Sequence, residues 1–249
     1  MRLITTLIIL LSSALATPAL AASHETSSVA ASSSAFCKAD ASRGTTVQNL
    51  LKDESARRQS LRAASDSGLS SSHGKAESGL AARQSQWNAV RAQELALIAK
   101  KAVTDPQKAA VSAFQQAVTA AIAARESANA SATSSYRTAE AAAIATHRAA
   151  VDAALAARSQ ALTAATVAAQ ASCTSAPTSS DSIRATYMAS VMSARVAFQS
   201  AQSAADTALK ATQKKQAAAR KASEQTDQTT FAAAVTAARD ALKAAFANK

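Results

Sequence analysis

Four glycines, three prolines and two cysteines are spread over 249 residues, and aromatic side chains make up only 3% of them. So few turn formers exclude a fold of strands and hairpins, which needs β-branched and aromatic runs punctuated by Gly and Pro. The scarcity of aromatics also excludes the stacking platforms on which proteins hold unpaired bases. Trp87, Tyr136 and Tyr187 are too scattered for that, so sequence-specific nucleic acid is not an expected partner. Catalytic signatures are missing as well. There is no HExxH, no phosphate-binding Gly-rich loop, no nucleophile elbow and no carboxylate pair beside a base. The three histidines, His24, His73 and His147, stand far apart in sequence. We therefore expect no enzyme activity, no catalytic residue, no cofactor and no metal.

What is abundant is alanine, nearly three residues in ten. Alanine is the best helix former because it loses no side-chain entropy on ordering. An all-α protein follows from that.

The N-terminus carries an export pattern. Met1-Arg2 supplies a positive charge, Leu3 to Leu15 is apolar apart from Thr and Ser, and Ala19-Leu20-Ala21 is a small-residue triplet. That order is a secretory signal peptide with cleavage expected after Ala21, which predicts a periplasmic, cell-envelope or secreted protein. Residues 22–44, Ser- and Ala-rich and including Cys37, read as a flexible leader. In an oxidising compartment a lone pair of cysteines forms a disulfide, so Cys37 is expected to bond Cys173.

Beyond the leader, one elongated helical domain over 45–249 is expected, with helices over about 45–66, 75–103, 106–172 and 182–247. Gly68 and Gly74, embedded in Ser and Asp, predict a break near 66–79. Asp105-Pro106 predicts a cap and a helix start, and Pro177 a second loop. The larger residues of the long alanine stretches recur every eleven positions. One row is Val111, Ile122, Thr133, Ile144, Leu155 and Thr166, and its neighbour is Phe114, Arg125, Tyr136, His147 and Arg158. The last helix repeats the period in Tyr187, Phe198, Leu209, Arg220, Phe231 and Leu242, and again in Val191, Gln202, Gln213, Glu224, Val235 and Phe246. Eleven residues make three turns at about 3.67 per turn, so each row runs nearly straight along its helix. A disordered chain has no reason to keep that phase. The threonines in the first row resemble those of ice-binding helices, but they share it with Ile122, Ile144 and Leu155, which marks a packing seam.

Asp105 lies midway between the cysteines, so folding there brings Cys37 beside Cys173. The last helix then lies alongside, completing an elongated antiparallel three-helix, coiled-coil-like rod. Charge is the remaining signal: 27 basic residues against 16 acidic give +11 and an isoelectric point near 10.1. The clusters Arg57, Arg58 and Arg62, then Lys100 and Lys101, then Lys214, Lys215, Arg220 and Lys221 are candidate contacts for an anionic polymer or lipid.

The signal peptide, the distant cysteines and Tyr136-Arg137-Thr138-Ala139 leading into alanine repeats resemble uncharacterised exported alanine-rich helical proteins of bacteria. That resemblance implies no activity. The expected function is an exported structural or spacer protein of the envelope. The alternative is a basic adaptor for anionic polymer, lipid or a protein partner, with self-association through the helical seam also open.

Overall fold

The structure is a computed structural model that describes residues 36–176 and 179–247. The expected signal peptide and residues 22–35 of the expected leader lie outside the described residues. After a helical turn at 36–38, three long helices follow: α1 (Asp40–Lys101), α2 (Asp105–Ser175) and α3 (Ser180–Ala247). They have 62, 71 and 68 residues, so each is roughly 90–110 Å long at 1.5 Å per residue. The helices run up, down and up, and Cys37 is bonded to Cys173 with their Cα atoms 5.5 Å apart.

The turn between α1 and α2 is residues 102–104, and its punctuation is one residue earlier than the sequence implied. Thr104, not Asp105, is the N-cap: its hydroxyl accepts from the Gln107 N–H while the Gln107 side chain reaches back to the Thr104 N–H. That reciprocal capping box satisfies two donors otherwise left open at a helix start. Asp105 supplies negative charge to the first turn, where the helix dipole favours it. Pro106 occupies the second helical position, where a missing N–H costs nothing.

The core lies between α2 and α3. Val111, Val118, Ala143, Val151, Leu162, Ala165, Thr166 and Ala169 are buried on α2, facing Ile183, Ala194, Phe198 and Ala205 on α3. Alanine at these contacts lets the axes approach near the lower end of the usual 8–10 Å spacing. The expected row from Val111 to Thr166 is buried or half-buried throughout. So is the row from Tyr187 to Phe246's neighbour Leu242, whereas Gln213 and Glu224 of the second α3 row are exposed. A further row at the same period faces inward unannounced by its composition: Gln107, Val118, Asn129, Glu140, Val151, Leu162 and Cys173. By contrast α1 buries none of its described residues completely. The close pair is therefore α2 with α3, and α1 lies alongside that pair.

The expected break near 66–79 does not occur: α1 is helical from Asp40 to Lys101. Breaking a helix creates two new ends, each with four unsatisfied backbone groups. Two exposed glycines cost only about 1 kcal/mol each relative to alanine. The same stretch is also pinned to α2 by Asp66–Arg148, His73–Glu140 and Glu77–Arg137. Tertiary contact holds what local propensity weakens.

Two outcomes are expected. A Cβ placed on Gly68 or Gly74 meets nothing within 4 Å. Gly68→Ala and Gly74→Ala should thus each stabilise the protein by about 0.5–1 kcal/mol, read as a higher melting temperature. A loss of stability would mean that the glycines serve a bend. Reducing the disulfide, which closes a sequence separation of 136 residues, should release the first turns of α1. Hydrogen exchange should then accelerate near residues 40–50 while the α2–α3 core stays protected.

Candidate functional site

Among the described residues no group of three His, Cys, Asp or Glu side chains converges on a possible metal position. No helix among them is long and apolar enough to cross a membrane. The concavities are shallow. One lies over the outer face of α2 at Ser159–Ala171, and another lies between α2 and α3 beside Tyr136 and Arg220. The chemistry instead lies along the seams between helices.

Across α2 and α3 the eleven-residue rows meet as a ladder of guanidinium groups on aromatic rings. Arg125 lies 4.9 Å from the Phe231 ring centroid, Arg220 5.5 Å from Tyr136, and Arg158 5.3 Å from Phe198. Each step up one helix is matched by an equal step down the other, as antiparallel packing requires. Between these rungs, His147 Nε2 sits 2.7 Å from Asp206 Oδ1. Such cation–ring contacts contribute about 0.5–1 kcal/mol when exposed and more when desolvated. They also explain why polar residues occupy the rows: an arginine in this seam has an aromatic face to cover.

Between α1 and α2 the ladder is ionic. Glu54–Arg158 (2.7 Å), Arg62–Asp152 (2.6 Å), Asp66–Arg148 (2.5 Å), His73–Glu140 (3.3 Å) and Glu77–Arg137 follow one another in antiparallel order. Arg62 and Arg148 each grip their carboxylate with two nitrogens, the geometry that makes guanidinium pairs specific. Leu51, Arg62, His73, Gln84 and Leu95 all face inward, so α1 obeys the eleven-residue period too. Sequence reasoning missed this row because three of its five members are polar.

One node joins all three helices, and a second joins the first turns to α3. Arg58 and Arg158 both bind Glu54 and lie within 5.2 and 5.3 Å of the Phe198 centroid. Nearer the disulfide, Arg43 lies 3.4 Å from the Phe36 ring and 5.5 Å from Tyr187.

Of the nine basic residues singled out above, three are engaged inside the bundle. Arg58 and Arg62 hold α1 to its neighbours, and Arg220 covers Tyr136 and pairs with Glu224 at 2.8 Å. Arg57, Lys100, Lys101, Lys214, Lys215 and Lys221 are exposed. They do not converge: Arg57 and Lys100 stand about 65 Å apart along α1. His147 and His73, each half-buried, contact a carboxylate of another helix, and His24 lies outside the described residues.

The carboxyls of the ionic ladder are held below their ordinary values. For Asp152 the cause is the hydrogen bond from Arg62, for Asp66 that from Arg148, and for Glu77 that from Arg137. Burial works against the charge on Glu54, but the Arg58 hydrogen bond and the charges of Arg158 and Arg58 outweigh it. Burial and the nearby Glu140 carboxylate push the Tyr136 phenol upward.

No protein-family model, no curated protein and no solved structure matches this chain.

A carboxyl whose value is depressed in the folded state stabilises that state above its unfolded value, about 4 for Asp and Glu. That stability is lost as pH falls below this value toward the folded one. Acidification from pH 5 to 3 should therefore loosen α1 along residues 54–77 before α2 and α3 separate. Hydrogen exchange should show the order, and added salt should act in the same direction because the pairs are partly solvated. Simultaneous loss of protection in all three helices would contradict it.

Proposed function

We propose that this protein is an exported spacer of the cell envelope, in which the rod-like bundle is itself the functional part. One observation carries the reading: the chain's distinctive side chains face other helices of the same chain, where they fix axial register over about 100 Å. A binding protein concentrates such groups around a concave site. Here Arg58, Arg158, Arg125 and Arg220 are distributed at intervals along the rod instead. The N-terminal order of charge, apolar run and small residues supports export, and so does a bonded cysteine pair.

The net charge of +11 and the exposed Lys214, Lys215 and Lys221 favour a second reading. In it the rod is a basic adaptor whose surface meets anionic envelope polymer or lipid.

Two variants separate the readings. Removing one eleven-residue block from each helix at matched levels keeps the register and shortens the rod by about 16 Å. Small-angle scattering should confirm the shortening. Replacing Lys214, Lys215 and Lys221 by Gln leaves length and register alone. Both are returned to cells lacking the native protein. A spacer predicts that the shortened rod fails to restore the wild-type envelope and the neutralised rod succeeds. An adaptor predicts the reverse, together with binding to anionic vesicles that falls steeply as salt is raised.

A further inference from the structure

Beyond Glu77 no ion pair joins α1 to α2 among the described residues, and that part of α1 carries four of the helix's six exposed large apolar side chains, Leu50 and Leu61 being the other two. Leu80 is 46% exposed, Trp87 68%, Val90 55% and Leu97 59%. With Arg83 and Glu94, both exposed and without an ion-pair partner among the described residues, they form a stripe spaced three and four residues apart by turns. That is the heptad spacing of a coiled-coil seam. It differs from the eleven-residue rows that α1 turns toward α2, and it lies on a different face.

The order of the stripe reads as its own complement. A two-fold axis between Asn88 and Ala89 sets Leu80 opposite Leu97 of an antiparallel copy, Trp87 opposite Val90, and Arg83 opposite Glu94. Each of the three matched pairs occurs twice in such a dimer, and both charged layers carry opposite signs. An isologous interface requires this kind of self-complementarity. A foreign helix has no reason to demand it of one chain.

We infer that the outer face of α1 over residues 80–97 docks a second copy of this chain, antiparallel, through α1 itself. The seam is about 26 Å long, so the interface belongs to the small, weak class. The helix is already formed, so association carries no cost of helix nucleation. The axis lies near the turn end of the rod, so the disulfide ends point away from each other. Two rods of about 100 Å then make a particle of about 155 Å, measured between the two Cys37 positions at 1.5 Å per residue. The inference rests on the exposure and order of these side chains and stands whichever function the rod performs.

The test is sedimentation and small-angle scattering of the disulfide-bonded protein across a micromolar concentration series. Trp87 is the sole tryptophan, so its fluorescence reports on this site alone. With rising concentration, mass should approach that of a dimer, the maximum dimension should rise toward about 155 Å, and Trp87 emission should shift to the blue. R83E and E94R each put like charges into both polar layers and should weaken association about tenfold or more. The R83E/E94R double variant restores opposite charges and should recover the wild-type association. Both positions of change are exposed on a formed helix, and circular dichroism should confirm unchanged helicity in all three variants. A protein that stays monomeric throughout overturns the inference. So do single variants that associate normally, a double variant no better than the singles, or a dimer no longer than one rod.

Discussion

Two alanine-rich helices can lie close together only where alanine lines much of the contact and each larger side chain meets a matching gap. Over about 100 Å that condition dictates where every larger side chain must go. The chain meets it by repeating its large residues every eleven positions, which keeps them in straight rows on helices of about 3.67 residues per turn. Ala143, Ala165 and Ala169 on α2 and Ala194 and Ala205 on α3 share the contact with Val111, Val118, Val151 and Leu162. The rows beside it carry Arg125, Tyr136, Arg158, Phe198, Arg220 and Phe231, whose ring–guanidinium contacts set how far one helix is slid along the other. Alanine alone packs equally well in many registers, because each turn looks like the next. The sparse large residues remove that degeneracy.

The two seams of the rod are chemically different, and they do different work. The α2–α3 seam buries the apolar core, and apolar burial at about 25 cal/mol per Å² holds it. The α1–α2 seam is a ladder of partly solvated ion pairs with a disulfide at one end. Individual pairs of that kind contribute about 0–1 kcal/mol, so α1 is held by number, by two-nitrogen geometry and by the covalent bond near Cys173. This division accounts for the glycines. α1 tolerates Gly68 and Gly74 because its helicity is tied to α2 at Asp66, His73 and Glu77, on both sides of the weak points.

The helical class, the turn near Asp105-Pro106 and the disulfide were legible because each rests on a local or one-dimensional signal: composition, capping chemistry, and the midpoint between two cysteines. The rows on α2 and α3 were legible wherever apolar residues marked them. The site was less so. Arg58, Arg62 and Arg220 read as solvent-facing charge, yet each is bound within the bundle. Glu54 is one turn from Arg58 and legible as an i,i+4 pair, but Phe198, Asp152 and the Tyr136 ring lie on other helices, so only the register of the fold reveals them. The glycine-bearing stretch departs from expectation for a related reason: propensity is local, whereas the contacts that override it lie sixty or more residues away, as in Glu77–Arg137 and His73–Glu140. The inward row of α1 stayed hidden because Arg62, His73 and Gln84 satisfy the period through polar tips and apolar stems.

Both ladders together give the rod a direction. At one end Cys37–Cys173, the Phe36–Arg43–Tyr187 stack and the Glu54–Arg58–Arg158–Phe198 node clamp all three helices. At the other end the ionic ladder stops at Glu77–Arg137, a turn of helix below the point where the exposed stripe starts at Leu80. A helix that merely needed to lie against α2 could have continued its charged rungs to Lys101, because the period does not fail there: Gln84, Arg91 and Leu95 still face inward. What changes is the outer face, which brings Leu80, Trp87, Val90 and Leu97 together within eighteen residues where the lower half of α1 exposes only the separate Leu50 and Leu61. Exposing large apolar groups lowers solubility and lends no stability to the single chain. Their concentration at one end, on the helix least committed to the core, is what a second copy requires: a surface reachable without disturbing the α2–α3 seam.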